Sequence, residues 1–160
     1  MATIGVGQGS YIRPLRRVRM DAFPEDSSQT FIVGDPVCLS ADSDEGNYIK
    51  IAAADPTTDR NFVGFAAKPA TGVKGTMIDV WLATGDAEFV AHVEDAMALD
   101  NDFVDTEYGI VADATNLIWR VDTTETTAKI VRITKLLDAH GDVNGRVQFN
   151  VIAPERLYHD

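Results

Sequence analysis

The stretch AEFVAHV, residues 87–93, decides the class of this fold. Ala87, Phe89, Ala91 and Val93 fall on one face of an extended chain, and Glu88 and His92 fall on the other. A period of two with one polar face marks a half-buried antiparallel strand. RVQFNV at 146–151 repeats the device, with Val147, Phe149 and Val151 opposed to Arg146, Gln148 and Asn150. Working outward from these two stretches, short runs rich in Val, Ile, Phe and Thr are broken by Gly, Asp, Asn and Pro. Strands are expected near 31–40, 47–53, 61–67, 76–84, 87–93, 108–112, 117–121, 128–137 and 146–152. Asn144-Gly145 is a strong turn dipeptide, so the last two should form a hairpin. The best case for a helix is VEDAMALDN at 93–101, one or two turns at most. The expectation is an all-β fold: a compact antiparallel β-barrel or sandwich of about nine short strands with little helix.

The chain has 160 residues, enough for one domain to bury a core without staples. No apolar run approaches the ~20 residues that span a bilayer, so no membrane partner is expected. Cys38 is the single cysteine, which excludes an intrachain disulfide. Residues 31–153 read as the β-barrel domain and 154–160 as a short C-terminal tail. Residues 1–30 lack a strong period and hold Gly5, Gly7, Gly9, Pro14 and Pro24. They read as an extended basic arm with no core of its own.

Charge divides the chain in two. The whole carries −11, yet YIRPLRRVRM at 11–20 contains Arg13, Arg16, Arg17 and Arg19 and no acid. From Asp21 onward, ten basic groups face twenty-five acidic ones, a balance of −15. Such a body repels phosphate backbones, so a nucleic-acid partner is not expected. A secretory signal would place an apolar run after the basic residues, and none follows here. Pro14 spoils the amphipathic helix of a transit peptide. The four arginines read instead as a partner-binding strap for an acidic neighbour. That neighbour is either another protein or an adjacent copy of this chain.

Catalytic and cofactor motifs are sparse. GVGQG at 5–9 has neither a strand before it nor a GK[ST] after it, so it does not make a phosphate loop. DSDEGN at 42–47 misses the EF-hand spacing, with Gly46 fifth rather than sixth and Ala53 at the twelfth position. It reads as a solvated hairpin loop. DNDFVDTE at 100–107 is acid-rich without ligand spacing. His92, His140 and His159 are far apart, no HExxH occurs, and no GxSxG elbow appears. Cys38 reads as a buried structural residue. Trp81 and Trp119 lie in strand-like runs, aromatic content is low, and no basic residues interleave with surface aromatics in the body, which disfavours a base-stacking platform. No catalytic residue, metal or cofactor is assigned. A carbohydrate-binding or carbohydrate-processing β-domain stays open, since a glycosidase needs only two carboxylates.

The order FIVGDPVCLS, YIKIAAAD, NFVGFAAKPA and MIDVWLATGDAEFVAHV, followed by YGIV, NLIWRVDTTETTAKIVRI and GDVNGRVQFNVI, resembles the small head decoration, or capsid cement, proteins of tailed bacteriophages. The resemblance covers roughly 31–152 and rests on short motifs. It implies a non-enzymatic virion protein, made in the host cytoplasm and located on the capsid exterior. Its partner would be the major capsid protein, and it would form a homo-oligomer, with a trimer favoured. The basic arm would then act as a docking strap. A head-fibre, tail or baseplate subunit with the same β-architecture is the nearest alternative.

Overall fold

A computed structural model describes residues 1–40, 47–52 and 62–152. Among the described residues the chain forms eleven strands: β1 Arg13–Arg16, β2 Met20–Pro24, β3 Pro36–Leu39, β4 Ile49–Ile51, β5 Phe62–Ala66, β6 Met77–Leu82, β7 Glu88–His92, β8 Glu107–Asp113, β9 Ile118–Asp122, β10 Val131–Leu136 and β11 Arg146–Val151. Each of the nine strands expected from the sequence is present. They pair in two antiparallel sheets, one ordered β1-β7-β11-β10-β8-β9 and the other β2-β6-β5-β3-β4. The architecture is sandwich-like and not a closed barrel. The five-stranded sheet curls until its far strands touch, Glu25 at the end of β2 bridging to Ile49 on β4, and in the six-stranded sheet Val93, just past β7, bridges to Val121 on β9.

Alternation explains which faces are buried. Phe89 on β7 and Phe149 on β11 point inward and stack at 5.9 Å between ring centroids. Phe65 on β5 meets them edge-on at 4.9 and 6.1 Å, so three aromatic rings join the two sheets. Aromatic pairs in this geometry add to the stabilisation that burial alone gives. A second apolar cluster, with Val37, Ile49, Val63, Val80 and Phe31, lies inside the curl of the five-stranded sheet. Strand β5 serves both clusters: Phe62 and Phe65 join the first, and Val63 and Ala66 join the second. A register irregularity between β3 and β5 lets Phe62 and Phe65 turn to the same side.

The hairpin expected from Asn144-Gly145 is present as β10–β11, with Asn144 in the left-handed region at φ 58°. The helix expected at 93–101 is absent. Ala96 takes φ 61°, which ends any helical turn, and only a single 3-10 turn follows at Asn101–Phe103. Buried Leu99 is held instead by the backbone of the 138–145 connection, donating its N–H to Asp142 O.

The larger correction concerns residues 1–30, read from sequence as an arm without a core. Ile12 is fully buried in the first cluster, and Val18 packs partly against it. β1 pairs with β7 and β2 pairs with β6, so this segment supplies an edge strand to each sheet. Pro14 suits that place, because an edge strand can spare an N–H. Further upstream, Thr3 bridges to Val143, and Ile4 donates its N–H to Val143 O at 2.8 Å. The physical reason is that four arginines hide two well-placed apolar anchors from a reading by composition.

Candidate functional site

The four arginines occupy a corner where the chain leaves one sheet and enters the other. Ile12 and Val18 point inward and fix the corner, while Arg13, Arg16, Arg17 and Arg19 are all exposed. Arg17 adopts φ 57° and makes the turn between β1 and β2. Arg19 continues the pairing through its carbonyl, which accepts the Leu82 N–H at 2.9 Å. The side chains divide by role. Arg16 reaches across the β1–β7 pair to Glu88 at 2.7 Å. Arg17 and Arg19 make no ion pair among the described residues. Arg13 turns toward a cleft beside β7. Leu15 and Met20 are exposed apolar side chains on the same corner. It therefore presents cations around a small apolar patch, a composition suited to docking protein.

The cleft has a volume of about 260 Å³ and lies between the glycine-rich start of the chain and the outward face of β7 and β11. Ile4, Gly5, Ser10 and Tyr11 form one wall, and Val90, His92 and Arg146 form the other. His92 lies on the polar phase of β7, as the alternation expects, but it is buried because residues 1–12 cover it. Its Nδ1 bonds the Asn144 carbonyl at 2.7 Å. Burial, and then the nearby positive charge of Arg120 and Arg146, outweigh that bond and hold the imidazole below its ordinary pKa. Arg146 is bonded through Nε and Nη2 to Asp138 at 3.0 and 2.8 Å.

The remaining candidates resolve into structural roles. Asp100 caps the 3-10 turn by accepting from Asp102 N–H, and Glu107 pairs with Arg132 at 2.6 Å. The acidic 100–107 stretch is thus part of the scaffold. His140 Nδ1 accepts from Asn101 N–H at 3.3 Å. Cys38 is buried on β3. Trp119 is buried and Trp81 half-buried, both against the first core cluster. Of the 42–47 loop only Asn47 is described, and His159 and the tail lie outside the described residues. No group of three metal-ligating side chains occurs among the described residues. No helix among them is long and apolar enough to cross a membrane.

Sequence reasoning did not single out two buried charges. Arg120 on β9 is 2 % exposed, pairs with Asp113, and donates from Nη1 to the Val93 carbonyl at 3.1 Å. It pins the β8–β9 hairpin to the end of β7. Glu25 is fully buried and accepts from the amides of Thr71 and Gly72 and from the Thr71 hydroxyl. Burial pushes its carboxyl up, but those hydrogen bonds win and hold it below the usual range. A second cleft, of about 310 Å³, runs between the 30–35 turn and the β8–β9 hairpin, lined by Ile32, Asp35, Leu117 and Trp119 among others. No family model matches this chain, and neither the curated proteins nor the solved structures hold a match.

Proposed function

We propose that this protein is a non-catalytic head decoration protein of a tailed bacteriophage, docking on the capsid exterior through the β1–β2 corner. The observation that carries the reading is the corner itself. It concentrates four exposed arginines, with Leu15 and Met20, on a body of opposite charge. Its first strand, β1, is the edge of the six-stranded sheet, so the outer side of its backbone is open to a further strand. Among the described residues Arg17 and Arg19 have no ion pair to surrender on binding, and a guanidinium matches a carboxylate with paired hydrogen bonds. Each exposed contact is worth ~1 kcal/mol or less, so lattice binding through many copies supplies the strength.

The test is co-sedimentation of purified protein with capsids that lack it, comparing the natural chain with Arg17→Glu/Arg19→Glu. Both side chains are exposed, so the fold survives the change. Binding of the natural chain at fixed stoichiometry and its loss in the double variant are expected. Equal decoration by both proteins would remove the corner from the mechanism. Failure of the natural chain to bind any capsid would remove the function.

A further inference from the structure

The cleft beside β7 has a composition that capsid docking does not use. Its placement follows from register. Arg13 stands opposite Val90, and Arg146 stands opposite His92. Directly opposed residues share a face, and Val90 and His92 share one by alternation. Two guanidinium groups on β1 and β11 therefore flank the imidazole of β7 on the same side, with their backbones about two strand spacings, roughly 10 Å, apart.

The hydrogen-bonding capacity is specific. Arg13 has no ion pair among the described residues. Arg146 gives Nε and Nη2 to Asp138, which leaves Nη1. The Ser10 hydroxyl accepts from Gly7 N–H at 3.4 Å and keeps its own proton to donate. His92 differs from the other three. A carbonyl only accepts, so Nδ1 carries the proton toward Asn144, and Nε2 of the neutral ring is a lone pair. That nitrogen has no partner among the described residues, on a side chain only 6 % exposed. Glu88, the one acid on this face of β7, is engaged by Arg16.

A cleft with three donors and one imidazole acceptor on its wall selects an anion that carries a proton of its own. We propose that this cleft binds hydrogen phosphate. Arg13, Arg146 and Ser10 would donate to its oxygens, and its P–OH would donate to His92 Nε2. Sulfate has the same shape and no proton at neutral pH, so it would leave the His92 lone pair facing an oxyanion. An acceptor facing a lone pair inside a cleft rejects the wrong ligand more strongly than a missing contact does.

The experiment uses the full chain at pH 7.5. Inorganic phosphate and inorganic sulfate are titrated separately, with calorimetry for affinity and ¹⁵N-edited NMR of the histidine rings to locate binding. Expected are movement of the His92 resonances with phosphate, at least about tenfold weaker sulfate binding, and about tenfold weaker phosphate binding by Arg13→Gln, each equivalent to one lost hydrogen bond. Arg13 is exposed on an edge strand, so the variant folds, and its unchanged amide spectrum away from the cleft verifies this. Three results would each overturn the proposal: no His92 response by about 10 mM phosphate, equal affinity for sulfate, or an unaltered affinity in Arg13→Gln.

Discussion

Asp35 is the residue whose environment disagrees most with its chemistry. It sits in the half-apolar cleft beside Ile32, Leu117 and Trp119, and burial pushes its carboxyl up to about 6 despite the bond it accepts from Ile32 N–H. A carboxyl whose pKa is higher folded than unfolded favours the native state when protonated, and that advantage fades as pH rises from about 4 through 6. Asp35→Asn keeps an acceptor for Ile32 and removes the charge. It should raise stability at pH 7 by about 1–2 kcal/mol after allowance for partial exposure, with no gain below pH ~4. Urea titrations at the two pH values check this. Gly64 is a second informative residue. A methyl group there would run into the Trp81 carbonyl across the β5–β6 pair. Gly64→Ala should therefore cost about 2–3 kcal/mol, read as a lower urea midpoint.

At the scale of elements, the β1–β2 corner joins two functions that the sequence reading kept apart. It holds the edges of both sheets and also presents the arginines. Deleting residues 1–20 would remove Ile12, Val18 and all of β1, so loss of docking in such a truncation would report unfolding. Charge reversal at Arg17 and Arg19 separates docking from folding. The loop at 70–76 depends in the same way on one distant residue. Glu25→Ala would strip the partners from Thr71 and Gly72 N–H and should cost about 1–3 kcal/mol. Hydrogen exchange confined to 70–76 would show the loosening first. Arg120 ties β8–β9 to β7 by the same logic. Arg120→Ala would leave the half-buried Asp113 without its cation, although Thr115 and Asn116 still donate to it, at a cost of about 1–3 kcal/mol in thermal or chemical unfolding.

For the whole molecule, the pH response follows from which groups the fold shifts. Glu25, Asp113 and Asp138 all titrate below their ordinary values in the folded state. Each therefore contributes stability that is present above its unfolded pKa near 4 and is lost as pH falls below it. His92 is held below its ordinary 6.5, so its burial also disfavours the folded state as pH drops through 6.5. Asp35 acts in the opposite sense between 4 and 6. The melting temperature should change little from pH 7 to 5 and then fall steeply toward pH 3. A steady rise in stability down to pH 3 would contradict these assignments.

How much of this was legible in the sequence follows from the range of the forces involved. Strand positions were legible because alternation is a local consequence of pleating: AEFVAHV and RVQFNV display their inward faces without reference to anything else. The charge division was legible because charge adds along the chain. Three things were not. That β5 is buried on both faces depends on its own sheet curling over one side while the six-stranded sheet packs on the other. That Ile12 and Val18 anchor the basic segment depends on β7 and β6 being free to accept edge strands. That His92 is buried depends on residues 1–12 folding back over the polar face of β7. By itself the sequence determined the β class, the nine strands β3 to β11 and the basic segment, all set by local periodicity and composition. Only the tertiary structure decided that the segment belongs to the fold and that Arg13, His92 and Arg146 converge, because pairing between residues tens of positions apart is fixed by packing rather than by neighbours in the chain.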